Sequence, residues 1–461
     1  MKKTRVIIFL ITLLTLVFIL GLSSGAWAAD PYIVYYNGKE VKFDVAPYMI
    51  NGRLMVPVRT ISETIGATVL WSEETEIVTI LKPGEGGSED RLELKPGSVY
   101  AKNNDTVIPL DTAPQSRGGR TFLPLRFICE WLGLGVNWVG DIITIYSKNV
   151  PLNQSSSQNN KNLAKYEPAH GCYLGAYVYQ DETIKGDMAT FNQLTGKKHA
   201  SFFRYFGYKQ GNFTDLRNWL KKIKDVDAVP HLAVEPNRGL DEVLDDEYLH
   251  ELATILAEVE GPVFLRWASE MNGDWSAYSG DPQKYIQKWR LVHDVMEKIA
   301  PDVIMVWTVF TFPQRNIPSY YPGDKYVDWV GVNIYNVIYH NDNIHDVASD
   351  EDPLQLLDYI YNTYSGRKPI QISEYGVTHY TVTDNKYYLD FAVQKLTRIY
   401  EGIKNRYPRV KSIFYFDVNN LVNAPEGRQI NNYAVTDEPV ILDTYKKLIA
   451  DPYFLSSVIR E

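Results

Sequence analysis

The chain has 461 residues, 45% hydrophobic and 22% charged, which excludes a collagen-like, coiled-coil or largely disordered protein. A formal net charge of −9 provides no basic footprint for a polyphosphate backbone, so nucleic acid is not an expected partner. The length exceeds one ordinary compact domain, although an α/β barrel alone takes about 250 residues, so two or three units are expected.

The first 29 residues have the parts of a secretory signal: Lys2, Lys3 and Arg5, an apolar run from Val6 to Leu22, and Ala26-Trp27-Ala28 as a small-x-small cleavage site. The expected location is therefore secreted or cell-surface, with an uncleaved membrane anchor as the alternative reading of the same segment. Cys129 and Cys172, the two cysteines of the chain, fall in different predicted domains, so no disulfide framework is expected.

Residues 30–148 contain an internal repeat, visible when the chain is shifted by 67 positions so that Asp44 meets Asp111. Gly52-Arg53 then meets Gly119-Arg120, Pro57 meets Pro124, Arg59 meets Arg126, Glu63 meets Glu130, Gly66 meets Gly133 and Trp71 meets Trp138. Each copy reads as short strands, a helix opened by Val-Pro-Val-Arg or Leu-Pro-Leu-Arg, and a strand pair after a glycine turn, Thr68–Trp71 with Ile77–Ile80 in the first copy. This small α+β unit used twice resembles the copper amine oxidase N-terminal-like, or stalk, domain of secreted bacterial proteins. Copper is not expected, because the repeats contain no His and their Asp and Arg recur as structural positions do. A spacer, or a module facing a cell wall or surface polymer, is the expected role.

Residues 149–166, which from Pro151 run PLNQSSSQNNKNLAKY, are rich in Ser, Asn and Gln and read as a flexible linker. From 167 to 461, apolar runs of strand length alternate with amphipathic stretches, the pattern of βα units around a parallel sheet. Eight strands are predicted, at Tyr173–Tyr179, Ala200–Tyr205, Ala228–Val234, Val263–Ala268, Val303–Thr308, Val327–Ile334, Pro369–Ser373 and Ile413–Phe416. Helices are predicted at Asp241–Glu258, Pro282–Ile299, Pro353–Tyr364 and Asn385–Arg406. The predicted fold class is α/β, a (β/α)8 TIM barrel preceded by the duplicated α+β domain. A doubly wound open sheet is the competing architecture, disfavoured because no Gly-rich phosphate loop follows the first strand.

In such a barrel the functional residues lie just beyond the C-terminal strand ends. Strand four runs VFLRWASEMNGDW and strand seven IQISEYGV, and both end on a glutamate. Two carboxyls flanking a glycosidic bond can protonate the leaving oxygen and capture the oxocarbenium-like centre, and a separation of roughly 5–5.5 Å, expected here for Glu270 and Glu374, leads to retention. Either glutamate alone reads more readily as a solvated loop carboxylate; together, at opposite strand ends with aromatics beside them, they read as a catalytic pair.

SEMNGDW and the following YSGDPQKYIQKWRLVHDV, with MVWT at 305, DWVGVNIY at 328 and SEYG at 373, resemble glycoside hydrolase family 26 over about residues 168–450. The resemblance implies Glu270 as acid/base, Glu374 as nucleophile, Tyr335 as the tyrosine that orients the nucleophile, and Trp275 as a substrate-stacking aromatic. Arg204, Asn272, Trp307 and Glu235 are further strand-end candidates for substrate binding, each with an ordinary structural role as its alternative. His379 and Tyr380 follow strand seven as candidates to touch substrate, with a surface-loop role as the preferred reading. Characterised mannanases of the family usually carry His before the acid/base, where this chain has Ser269, and that departure bears on the sugar rather than on the two-carboxylate chemistry. The expected function is a secreted retaining hydrolase of a β-linked polysaccharide, with β-mannan first and mixed-linkage β-glucan, β-1,3-xylan or bacterial exopolysaccharide as alternatives. It is expected to act as a monomer without cofactor or metal. The reading from another class is a catalytically inactive carbohydrate-binding surface protein.

Overall fold

The computed structural model describes residues 32–36, 39–50, 52–83, 89–139, 142–147 and 163–459; the predicted signal segment and most of the predicted linker lie outside them. The chain divides into two compact units, Met1–Ile145 and Tyr146–Glu461. Cys129 and Cys172 are both buried, one in each unit, and are not joined by a disulfide. Among the described residues no helix is long and apolar enough to cross a membrane.

In the first unit the two sequence repeats are intertwined. Strands Arg53–Pro57 and Arg120–Pro124 occupy equivalent places in the repeats and pair antiparallel, with Val56 opposite its own equivalent Leu123. Each runs into a short helix, Val58–Thr64 or Leu125–Trp131, at the repeated Pro-x-Arg step. The N-terminal strand Ile33–Tyr36 pairs parallel with Ile142–Ser147 of the second copy. In the other half, Thr68–Ser72 and Ile77–Pro83 share a sheet with Tyr100–Asn103 and Thr106–Pro109, joined through Glu89–Leu94. Each sheet thus combines strands from both copies, and neither copy closes a core alone. Val34, Val56, Ile61, Ile80, Leu92, Leu123, Ile128 and Ile143 meet in one buried cluster. The repeated Asp and Arg tie the copies reciprocally, Arg53 to Asp111 and Arg120 to Asp44, both at 2.7 Å. These pairs are about half exposed, so they fix geometry more than they add stability.

The second unit is a closed barrel of eight parallel strands surrounded by helices. The strands are β1 (Cys172–Tyr177), β2 (Ser201–Gly207), β3 (Val229–Glu235), β4 (Val263–Trp267), β5 (Val303–Phe310), β6 (Trp329–Asn336), β7 (Ile370–Val377) and β8 (Val410–Phe416). Closure comes from β1, which pairs with β2 at Gly175–Ser201 and with β8 from Tyr173–Ser412 to Tyr177–Phe416. Each predicted strand overlaps an observed one. Helices α1 (Met188–Thr195), α2 (Phe213–Asp225), α3 (Glu247–Ala257), α4 (Pro282–Ile299), α5 (Pro353–Tyr364), α6 (Leu389–Arg406) and α7 (Pro439–Ile449) follow the strands, except that 3₁₀ turns at Gln314–Tyr320 and Asp324–Tyr326 connect β5 to β6.

Helix boundaries follow their caps. Asp281 and Asp352 accept the backbone N–H of Lys284 and Leu354, with Pro282 and Pro353 at the first helical position, so α4 and α5 begin as predicted. The other two predicted starts were too early. Asp246 caps α3, leaving Leu240–Glu242 as a separate 3₁₀ turn, and Lys386–Tyr387 pairs as a strand with Tyr380–Thr381 before α6 begins. Inside the barrel, Tyr173, Phe264 and Trp329 fill the lower layer, while Tyr177, Phe203, Phe414 and Phe416 pack beneath the mouth.

Candidate active site at the barrel mouth

At the C-terminal ends of the strands lies an open cavity of about 620 Å³ lined by Glu235, Glu270, Glu374, Tyr205, Tyr335, Arg266, Asn333, Trp275, Tyr278 and the exposed Arg428, among others. Of the predicted site residues, it brings together Glu270, Glu374, Tyr335, Trp275 and Glu235.

Glu374 reaches this cavity through an irregularity in β7. The pairing of β6 with β7 runs Val332–Ile372 and then Asn333–Glu374, so Ser373 is an extra residue in the ladder. Such a bulge re-aims the side chain that follows it. Ser373 stays inside the barrel, bonded to Gln371 and Thr308, and Glu374 also turns inward, while Tyr375 faces out to the backbone of Lys395 on α6. The Glu374 carboxylate, 3% exposed, accepts from the hydroxyls of Tyr205 and Tyr335, and the Arg266 guanidinium lies 2.5 Å from its Oε1. Two hydroxyl donors and a guanidinium charge converging on one carboxyl match its ionised form, which has only acceptors. Burial opposes the charge on Arg266, but the facing Glu374 and Tyr205 outweigh it and raise its pKa. Gly376 leaves room for this arrangement: a Cβ there would stand 2.7 Å from the Tyr335 ring.

Glu270 sits just past β4 in a left-handed conformation, φ 59°, close behind Ala268 at φ 46°. Its Oε1 accepts from Asn333 Nδ2 at 2.7 Å and its Oε2 from Trp275 Nε1 at 3.0 Å. Burial, and then the like charge of Glu374, raise its pKa, favouring the protonated form an acid needs. Trp275, 44% exposed, stands over the cavity, and Gly273 makes room for its ring, since a Cβ there would come within 2.3 Å of it. Trp267, the last residue of β4, faces outward against Tyr285 and Trp289 of α4 and takes no part in the cavity.

Three predicted binding residues stand elsewhere. Arg204 points away from the cavity, donating to the Asp215 carbonyl of α2 and stacking on Tyr179, because on β2 it is Tyr205 that faces inward. Trp307, 0% exposed, packs outward against Tyr321 and Tyr364, with Thr308 occupying the inward position. Asn272 is buried and spends its amide on the backbone of Phe310 and Phe312, pinning the loop after β5. His379 is also buried, bonded to the Ala434 carbonyl, and is not a surface-loop residue. Sequence reasoning missed Arg266, Tyr205, Asn333 and Tyr278. Arg266 and Asn333 left a legible signal, a polar residue inside an otherwise apolar strand run (VFLRW, GVNIY).

The family model described as Copper amine oxidase N-terminal domain matches residues 35–147, and that described as Glycosyl hydrolase family 26 matches residues 209–365. A "Beta-1,3-xylanase" of Alcaligenes sp. is 26% identical over 168 residues, covering 34% of this chain and 33% of the relative. "Beta-1,3-xylanase TXYA" of Vibrio sp. is 27% identical over 168 residues, covering 34% of each. The chain thus spans about a third of the length of these curated relatives. Among solved structures, a GH26 beta-mannanase from Bacteroides ovatus shares 14% identity at a TM-score of 0.45, over 62% of this chain and 90% of that one. The GH26C protein of a Muricauda species shares 15% at 0.47, over 62% and 87%. The chain therefore carries an N-terminal copper-amine-oxidase-like domain followed by a glycosyl hydrolase family 26-like domain built as a TIM barrel.

Proposed function

We propose that the barrel is a retaining glycoside hydrolase acting on a β-linked polysaccharide. The observation that carries this reading is the pairing, in one open cavity, of a carboxyl whose pKa is raised (Glu270) with a carboxylate held by Arg266 and two tyrosines (Glu374). Such divergent environments divide the roles between an acid and a nucleophile. Glu374 attacks the anomeric carbon while Glu270 protonates the leaving oxygen. Glu270, then ionised, takes a proton from water as that water displaces Glu374 from the glycosyl-enzyme, with net retention. Trp275 supplies a stacking face beside the acid, and Tyr335 and Tyr205 keep the nucleophile aimed.

For the sugar, β-mannan remains the first substrate to test, on the strength of the family likeness. β-1,3-xylan is the second reading, favoured by the names of the two curated relatives and by Ser269 in place of the histidine usual in mannanases. The protein is proposed to act outside the cell, with residues 1–29 as its export signal and the duplicated domain facing a surface polymer. The deciding experiment incubates the purified protein and Glu374→Ala with mannan, β-1,3-xylan, mixed-linkage glucan and exopolysaccharide, following reducing ends and the anomer first released. Turnover with retention that is lost in Glu374→Ala supports the reading. Binding without hydrolysis by the wild type would replace it with the carbohydrate-binding one.

A further inference from the structure

Ser269 lies between the two left-handed residues that present the acid, Ala268 and Glu270. Non-glycine residues rarely adopt that conformation and keep it only where surrounding contacts over-determine it. Every polar group of Ser269 is engaged. Its N–H donates to Glu235 Oε2 at 3.1 Å, its hydroxyl to Glu235 Oε1 at 2.5 Å, and its carbonyl accepts from the Tyr278 hydroxyl at 2.8 Å. The same hydroxyl stands 2.5 Å from Glu235 Oε2.

We propose that Glu235, Ser269 and Tyr278 form a hydrogen-bonded lock that holds the turn between β4 and Glu270 and thereby aims the acid/base carboxyl. Glu235 is then a positioning residue, not a sugar ligand, although it lines the cavity. Both its oxygens are already occupied by protein donors. A histidine at position 269 would lack the short hydroxyl that reaches Glu235, so the serine is here part of a different support. The inference rests on Glu270 being the acid/base.

Proton count adds a consequence. The Tyr278 hydroxyl has one hydrogen and two acceptors in reach, Glu235 and the Ser269 carbonyl. With Glu235 protonated, its own hydrogen goes to Tyr278 and that of Tyr278 to Ser269, and both contacts are satisfied. With Glu235 ionised, one contact is lost. The groups facing Glu235 are Arg266, Ser269, Tyr278 and Glu270; burial dominates and raises its pKa to about 7.

The test uses leaving-group dependence. A polysaccharide leaving group needs protonation by Glu270, whereas a dinitrophenolate does not. In Glu235→Ala, Ser269→Ala and Tyr278→Phe, kcat/KM on the polysaccharide is expected to fall by about tenfold or more, while kcat/KM on the matching dinitrophenyl glycoside stays within about twofold. Ser269→Thr, which keeps the hydroxyl, should restore most of the loss. An equal loss on both substrates would make Glu235 a sugar ligand and overturn the lock. The Glu270 carboxyl is also followed directly by carbon-13 NMR, assigned with Glu270→Gln. Its titration should move in Ser269→Ala, and an unmoved titration overturns the lock even if the protein hydrolyses nothing. Failure of the wild type on every β-glycoside would instead sink the hydrolase reading.

Discussion

Gly376→Ala isolates the support of Glu374, the proposed nucleophile, without touching a polar group. The added Cβ would stand 2.7 Å from both Cδ1 and Cε1 of Tyr335 and 3.2 Å from Cδ1 of Tyr433, where ordinary contact begins near 3.4 Å. The Tyr335 ring must therefore withdraw by about 0.7 Å, the difference between 3.4 and 2.7 Å. That shift lengthens the Tyr335 bond to Glu374, and Tyr433 and Phe416 packed around the ring limit any sideways escape. A hydrogen bond to a charged group contributes about 1.5–3 kcal/mol, and overpacking costs about 1–3 kcal/mol of stability. If the bond is weakened in the transition state by that full amount, kcat falls by roughly 10- to 150-fold. Tyr335→Phe removes the same bond without the clash and sets the scale: it should show a comparable loss of kcat with a smaller loss of stability. Steady-state kinetics on whichever β-linked polymer is accepted, with thermal unfolding alongside, measures both. A Gly376→Ala protein with wild-type kcat and melting temperature would refute the idea that this glycine exists to seat Tyr335.

Further outcomes follow from the same geometry. Because the pKa of Glu270 is raised, the alkaline limb of kcat/KM should lie above the ordinary carboxyl range; a limb between pH 4 and 5 would contradict the role, as about 4.3 is the unperturbed value for Glu. Glu235, raised from 4.5 to about 7, binds its proton more tightly in the folded state, so its contribution is complete below about pH 4.5 and lost as pH rises through 7. At 1.36 kcal/mol per unit this amounts to about 3 kcal/mol; chemical denaturation across that window should show the decline in the wild type and a flatter profile in Glu235→Gln. Arg266→Met leaves Glu374 buried without its cation and should destabilise the barrel by about 3–5 kcal/mol, read from the denaturation midpoint. Arg204→Ala, remote from the cavity, should leave kcat and KM unchanged, and a marked loss in either would restore Arg204 to the site.

The sequence by itself determined the count and order of the barrel strands, because strands buried on both faces read as continuous apolar runs between amphipathic helices. It also located the α4 and α5 starts, where Asp-Pro is a local cap, and the repeat, where identical residues recur at one spacing. What it could not decide was which way each strand residue faces. A polar residue in an apolar run can face either way, inward like Arg266 or outward like Arg204, so Arg204 and Trp307 were expected in the cavity while Tyr205 and Thr308 face inward. Strict alternation fails outright at Ser373, where one extra residue in the ladder turns Glu374 towards the mouth. Nor could the sequence reveal that each repeat's arginine binds the other repeat's aspartate, since that depends on strands being exchanged between copies. The two glutamates were legible as strand-end residues; only the tertiary structure surrounded one with Arg266, Tyr205 and Tyr335 and the other with Asn333 and Trp275, because those partners come from strands and loops far apart in the chain.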